Sequence, residues 1–303
     1  MSIKQFKNFN LLLVCFSYLC CPVAALACTA KIQSLDLQAG SYDDYDVFTS
    51  EAYGLTQQYE AKVLFSDVVE GEECLFYFSA STFDSTTKLT SLKNESLFFE
   101  PVPQSLDSGV QNNRWFGKVS PASDRFRFQL RFPSHQFGTY GNYDALLEAK
   151  LHQLPDGGQV IDELQQLIAA SIEQAAQVSF YGVSDNTYHL DLGYLSTGKV
   201  INAAPNLFVK STTDYSLSFE SMNKGVLKHQ NQQSQWDIDY QLTLNNIEID
   251  LSHNENQFYA NSATVSQGER LPLKIVIGET EDKLGGIYTD EIHIYISPGG
   301  FAE

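Results

Sequence analysis

Histidine and acidic side chains are the residues of this chain that could bind metals or move protons, and we begin with their spacing. The histidines are scattered, and none forms the His-x-x-x-His pair that places two zinc ligands on one helix face. The six are His135, His152, His189, His229, His253 and His293. We therefore expect no zinc site.

The densest acidic stretch is YDDYD at residues 42–46, which places Asp43, Asp44 and Asp46 close together. Carboxylates are the ligands that calcium prefers, but this stretch lacks the ligand spacing and the closing glutamate of a known calcium loop. A solvated turn is the simpler interpretation of this segment.

Motifs for nucleophilic catalysis or phosphate binding are absent from the sequence. It contains no Gly-x-Ser-x-Gly elbow and no Gly-x-x-x-x-Gly-Lys phosphate loop. Pairs of carboxylates suited to glycoside hydrolysis occur in any acidic chain, so a secreted carbohydrate-active enzyme on a β-sandwich is the weakest of three function classes that we consider. We expect a protein that is not an enzyme and that needs no cofactor.

Residues 1–27 have the features of a secretory signal peptide. Lys4 and Lys7 precede an apolar run that starts at Leu11, and Ala25-Leu26-Ala27 fits the small-x-small cleavage rule. Cleavage then leaves Cys28 first. Lipidation of Cys28 is an alternative, which the alanine three residues before it, in place of the usual leucine, disfavours.

Cleavage also settles which cysteines belong to the mature chain. Three of the five leave with the signal peptide, and Cys28 and Cys74 remain. Two cysteines in an exported protein predict one disulfide, with two unpaired buried thiols as the alternative.

The mature chain is strongly acidic. Without Lys4 and Lys7, 17 basic residues face 37 acidic ones, for a formal charge of about −20. Such a charge repels nucleic acid and anionic membranes, so we expect neither as a partner.

Short alternating stretches of β-branched and aromatic residues fill most of the mature chain. Examples are Tyr59–Phe65, Phe126–Phe132, Tyr215–Glu220 and Ile287–Ile296, with Asn, Asp, Gly and Ser clusters between them. This pattern predicts an all-β protein built as sandwiches or barrels.

One segment departs from this pattern. From Asp162 to Gln177 the apolar residues Leu164, Leu167, Ile168 and Ile172 have helical spacing among good helix formers. We predict a short helical linker over residues 161–177, between domains at 28–160 and 178–303. The alternative is an irregular final strand of the first domain.

Aromatic residues in the first half indicate a recognition surface. Phe98 and Phe99 precede a proline, and Trp115 and Phe116 precede a glycine, which is typical of aromatic loops that contact partners. Core packing is the alternative for each of them.

The second half resembles the spore coat protein U-type domain in the order of its motifs. The stretch LDLG at 190–193 is followed by spaced residues of a Val-x-Ser…Tyr-x-Leu…Ser-x-Asn-x-Gly-x-Leu pattern and by a closing GGIYTDEIHIYISP. The matching residues are Val209, Ser211, Tyr215, Leu217, Ser221, Asn223, Gly225 and Leu227. Residues 178–298 carry the resemblance well, and residues 28–151 carry it loosely.

The resemblance implies a subunit of an archaic chaperone–usher pilus, with immunoglobulin-like sandwiches of which the C-terminal one lacks its last strand. A periplasmic chaperone, and later an adjacent pilus subunit, then supplies that strand, and an outer-membrane usher assembles the fibre. The expected acceptor groove comprises Leu190 and Leu192 on the first strand and Ile292, Ile294 and Ile296 on the last.

The position of Cys28 predicts a place in the fibre. A mature chain that starts at Cys28 has no extension to donate, and it stops one strand short, so it accepts a strand without giving one. We therefore expect a two-domain tip adhesin at the cell surface, whose residues 28–160 bind a host or abiotic surface through Phe98, Phe99, Trp115 and Phe116. A secreted coat or envelope protein with two complete sandwiches is the alternative.

Overall fold

The computed structural model describes residues 28–39, 43–71, 73–105, 107–153, 158–202, 204–253, 257–264 and 268–299. The predicted signal peptide lies outside these ranges. Strands dominate, and the helical content of the described residues is one short 3-10 turn at Ser234–Trp236. No helix in the described ranges is long and apolar enough to cross a membrane. The chain is therefore all-β, as its alternating pattern predicts.

The described residues of the first half form eleven strands in two antiparallel sheets. The smaller sheet has the order β1-β2-β9-β6, and the larger has the order β5-β4-β10-β3-β8-β7 with β11 paired to β10. The bounds are β1 Thr29–Leu37, β2 Tyr53–Ser66, β3 Phe76–Thr82, β4 Lys88–Ser91, β5 Ser96–Phe98, β6 Glu100–Pro103, β7 Ser108–Gln111, β8 Arg114–Val119, β9 Arg125–Pro133, β10 Gly141–Gln153 and β11 Val160–Ile172.

In the second half, the part of the chain that the structure describes forms twelve shorter strands in three sheets. Their orders are β12-β14-β20, β13-β21-β17-β16-β22 and β19-β15-β23, with β18 paired to β17. The bounds are β12 Ala176–Phe180, β13 Val200–Ile201, β14 Leu207–Ser211, β15 Tyr215–Ser221, β16 Val226–His229, β17 Ile238–Leu244, β18 Ile247–Ile249, β19 Gln257–Ala260, β20 Glu269–Leu271, β21 Leu273–Ile277, β22 Tyr288–Thr289 and β23 Ile292–Pro298.

Each half has its own hydrophobic core. Alternate residues of the first half's strands bury an aromatic cluster in which Trp115 packs against Phe99 and Phe128, at ring-centroid distances of 6.0 and 4.6 Å. The second core centres on Tyr215, Leu217 and Phe219 of β15. Both halves are immunoglobulin-like β-sandwiches.

The predicted helical linker is wrong, because residues 160–172 form strand β11. This strand pairs with β10 from Gly141↔Ile172 to Leu151↔Asp162. Ile168 and Ile172 are buried in the first core, whereas Leu167 points outward and is 59% exposed. The long β10 ladder overrides the local helix propensity, and the alternative of a final strand of the first half is confirmed.

The connection between the two cores is short. Ile172 belongs to the first core and Ala176 packs on the second, so only residues 173–175 lie between them. The buried Thr212 holds this connection: its hydroxyl donates to the Glu173 carbonyl at 2.8 Å and accepts from the Ala175 amide at 2.9 Å. The assignment of the two halves to adhesin and pilin roles stays a prediction.

The predicted disulfide is confirmed. Cys28 and Cys74 are bonded, with their Cα atoms 5.8 Å apart, and both are buried. The bond ties the start of β1 to the segment that enters β3.

Removing this bond is expected to destabilise the first half. A crosslink across 46 residues stabilises by ~2–4 kcal/mol, mainly by restricting the unfolded chain. The Cys28→Ser/Cys74→Ser double variant should therefore unfold at a lower urea concentration than the parent. An unchanged midpoint would contradict a structural role for the bond.

Candidate functional site

The last strand of the second half has one unpaired edge. Strand β23 pairs antiparallel with β15, from Ser221↔Ile292 to Tyr215↔Pro298. On its other side, β23 has no strand partner among the described residues. Its outward-facing amides and carbonyls can therefore pair with another strand.

The first strand of the second half borders the same opening. Strand β12 pairs with β14 and is likewise the outermost strand of its sheet within the described ranges. It lies close to β23, and Gly299 at the end of β23 lies against Gln174 just before β12. The two unpaired edges therefore flank one groove.

The side chains along this groove are apolar and incompletely covered. Ile292, Ile294 and Ile296 are only half-buried, although their neighbours Leu217 and Phe219 on β15 are fully buried. The predicted residues of the last strand thus lie together at one edge. Their alternate spacing matches a partner strand that presents alternate apolar side chains.

The prediction for the first strand is wrong in its position. Leu190 and Leu192 lie in the segment 182–199, which forms no strand, and there they pack half-buried on the second core. The Lys199 ammonium holds this segment by donating to the carbonyls of Leu192 and Tyr194, at 2.7 and 2.6 Å.

Strand β12 supplies the residues that the sequence reasoning missed. Ala176, Val178 and Phe180 are half-buried on the second core and alternate with Gln177 and Ser179. This alternation was the available signal, and the helical interpretation of the preceding residues obscured it.

A half-buried carboxylate, that of Asp290, fixes the start of β23. One oxygen of Asp290 accepts hydrogen bonds from the hydroxyls of Ser221 and Tyr240, both at 2.6 Å. The other accepts from the amides of Asn223 and Glu291, at 3.0 and 2.8 Å. Burial, reinforced by the hydrogen bond to Asp290 and its charge, raises the pKa of Tyr240 well above its ordinary value.

Buried tyrosines should make the protein sensitive to alkali. The pKa values of Tyr143 and Tyr215 are raised for the same reasons. Burial is the larger cause, and the second is a carboxylate partner, Glu95 for Tyr143 and Glu269 for Tyr215. The unfolded chain loses these protons near pH ~10, while the folded chain keeps them. The stabilising contribution of these tyrosines to the free energy of unfolding is therefore fully present below about pH 10 and falls above it.

Above pH ~10, the free energy of unfolding measured in urea should fall less for the Tyr240→Phe variant than for the parent. Tyr194→Phe, at an 88% exposed position, should behave like the parent. If the free energy of unfolding falls equally with pH for Tyr240→Phe and the parent, the raised pKa of Tyr240 does not contribute to the alkaline loss of stability.

Two of the four predicted surface-binding aromatics are buried, so the prediction is wrong for them. Trp115 is 0% exposed and donates its indole N–H to the Val102 carbonyl, and Phe99 is 3% exposed. Both have core roles: Trp115 points inward from β8, and Phe99, between β5 and β6, stacks beside it. Phe98 is 55% exposed on β5, and Phe116 is half-buried against Tyr77.

Hydrogen bonds engage two of the three carboxylates that we considered for calcium. Asp44 accepts from the Ser171 hydroxyl at 2.6 Å, and Asp46 accepts from the Phe48 amide at 2.9 Å. Across the described ranges, no group of three or more His, Cys, Asp and Glu side chains is arranged to hold a metal ion. Tyr42 lies outside those ranges.

Comparisons with known proteins yield structural likenesses at low identity. No family model matches the sequence, and no curated protein matches it. Among solved structures, the chain is similar to the tip adhesion subunit of a chaperone–tip pre-assembly complex, CsuC–CsuE, from the archaic chaperone–usher Csu pili of Acinetobacter baumannii. The identity is 12% and the TM-score 0.46, over 87% of this chain and 99% of that one.

A second likeness is to CfaE, the adhesive subunit of the CFA/I fimbria of enterotoxigenic Escherichia coli, with 10% identity and a TM-score of 0.38 over 92% and 84% of the two chains. A third is to self-complemented MyfA, the major subunit of Myf fimbriae from Yersinia enterocolitica, with 9% identity and a TM-score of 0.28 over 48% and 98%. These neighbours are pilus subunits and adhesins. At such identities and TM-scores, the function proposed for this chain rests on its own geometry.

Proposed function

We propose that this protein is a tip adhesin of a chaperone–usher pilus, which joins the fibre through its C-terminal half and binds a surface or receptor through its N-terminal half. The groove between β12 and β23 is the observation that carries this proposal. It combines unpaired backbone groups with half-covered apolar side chains at alternate positions, which is what β-strand addition requires.

The N-terminal half supports this division of roles, because side chains and loops cover β11, the longest of its outermost strands. On β11, the Asp162 carboxylate accepts from the Ile32 amide at 2.7 Å, and the Ser171 carbonyl accepts from the Tyr45 amide at 2.7 Å. An outer strand protected in this way resists further pairing. Strand addition is therefore assigned to the C-terminal half.

The partners follow from the groove. A periplasmic chaperone provides the first inserted strand, a neighbouring subunit replaces it, and an outer-membrane usher hosts the exchange. The protein is thus exported through the periplasm to the fimbria at the cell surface.

The end of the N-terminal half that lies far from the groove is the proposed contact surface. Strand β10 starts beside the C-terminal half, where the Tyr140 amide donates to the Thr212 carbonyl, and its 13 residues extend ~40 Å away from that point. At its far end, the exposed Val68 and Val69 lie in the loop before β3, and Val160 opens β11. These valines replace Phe99 and Trp115 as contact candidates.

Coexpression tests the assembly role. The full mature chain should copurify with the pilus chaperone encoded in the same gene cluster, and hydrogen exchange should then show new protection at those β23 amides that point away from β15. A full chain that is monomeric and stable by itself, with unchanged exchange in the presence of chaperone, would contradict the proposal and favour the coat-protein alternative.

Attachment tests the contact surface. The Val68→Ser/Val69→Ser variant should reduce the attachment of piliated cells to polystyrene. Leu167→Ser removes an apolar side chain from the middle of β11 that is somewhat more exposed than the valines (59% against 49%), and it should leave attachment unchanged. Equal attachment by both variants would exclude the two valines as contacts.

A further inference from the structure

A cleft lies between the two halves, next to the end of the groove, where the Gly299 amide donates to the carbonyl of Asp214 at 2.8 Å. Lys93 and Tyr140 line it from the first half, and Asp214, Asn261 and Ser262 line it from the second. Its volume is about 680 Å³, within the ~300–1,000 Å³ of typical ligand sites. The cleft is large enough for a small ligand.

Contacts at its base hold the two walls together. The Tyr140 amide donates to the Thr212 carbonyl at 2.8 Å. The Lys210 ammonium lies 5.5 Å from the centre of the Phe137 ring, which is within the range of a cation–π contact. The cleft is therefore formed before any ligand arrives, which lowers the cost of binding.

The side chains in the cleft are available to a ligand. The Tyr140 ring is 49% exposed, and Asn261 and Ser262 are also exposed. Their side chains make no hydrogen bond to any of the described residues. A flat apolar ring beside an amide and a hydroxyl offers a stacking surface together with donors and acceptors.

The charges of the cleft select among ligand classes. Lys93 supplies one positive charge and Asp214 one negative charge, so the lining has no excess cation for a phosphate or another strong anion. A neutral, hydroxyl-rich molecule with an apolar face fits both the ring and the polar side chains.

We propose that this cleft binds a neutral oligosaccharide, with one sugar ring stacked on Tyr140 and its hydroxyls bonded to Asn261 and Ser262. The lining of this site shares no side chain with the valine surface or with the half-buried isoleucines of β23, so its test can fail or succeed separately from that of the proposed function.

The test probes the full mature chain, purified with whatever partner strand it carries, on an array of neutral and acidic oligosaccharides. The strongest neutral binder is then measured by calorimetry. Tyr140→Ala and Asn261→Ala should each weaken its binding at least about ten-fold, whereas Tyr140→Phe should retain most of it. Tyr194→Ala, an exposed tyrosine outside the cleft, is the matched control and should bind like the parent.

Three results would overturn the proposal. They are the absence of any bound neutral oligosaccharide, binding confined to acidic ones, and equal affinity of the parent and both cleft variants. Thermal unfolding of each variant verifies its fold, and Asn261→Ala still decides the question if Tyr140→Ala does not fold.

Discussion

The Ile294→Asp variant is expected to lose capture by the pilus chaperone, with affinity reduced at least about 100-fold. Ile294 is half-buried in the groove, opposite Phe219 of β15, and an inserted strand would complete its burial. Full burial of isoleucine contributes ~1.5–3 kcal/mol, and an aspartate adds the cost of burying a carboxylate. Each factor of ten in affinity corresponds to ~1.4 kcal/mol.

The adjacent Tyr295 provides the control for this experiment. It lies on the same strand, faces the other way and is 52% exposed, so Tyr295→Asp should preserve capture while adding the same charge. Copurification of chaperone with each variant gives the measurement. Equal yields of complex for Ile294→Asp and the parent would show that β23 does not line the groove that accepts a strand.

The Trp115→Ala variant is expected to lower the free energy of unfolding of the first half by ~3–5 kcal/mol, as large-to-small substitutions of buried aromatics do. Trp115 is fully buried against Phe99 and Phe128 and donates to the Val102 carbonyl. Its removal leaves a cavity and takes one hydrogen bond from the Val102 carbonyl.

Urea unfolding followed by circular dichroism measures this effect, and Phe98→Ala is the comparison. Phe98 comes from the same set of predicted contact residues but is 55% exposed, so its removal should change stability by less than ~1 kcal/mol. A stable Trp115→Ala variant with impaired surface attachment would restore the original contact prediction.

Local patterns were sufficient to predict the all-β class and the disulfide. Period-two alternation is strong in strands such as β9 and β23, and two cysteines in an exported chain leave one natural pairing. The last-strand isoleucines could be predicted because alternation by itself identifies which residues share a face.

Tertiary context decided the features that the sequence did not reveal. The residues of β11 favour a helix by themselves, and only the long partner β10 makes them a strand. Similarly, the sequence Leu-Asp-Leu occurs at 35–37 and again at 190–192, yet the first copy lies in β1 whereas the second belongs to no strand. A local motif does not specify a partner strand, and therefore it does not specify the edge of a groove.

The three-residue connection at 173–175 has a mechanical consequence. In the proposed roles, a pull between a surface-bound far end and a fibre-bound groove passes along β11, through the covalent connection Glu173–Ala175 and into β12. Strand β11 would be loaded along its axis against β10, so its ladder bears the tension in shear and its hydrogen bonds share the load. The Thr212 hydroxyl bonds both ends of the connection and holds it against extension, so tension reaches β12 directly.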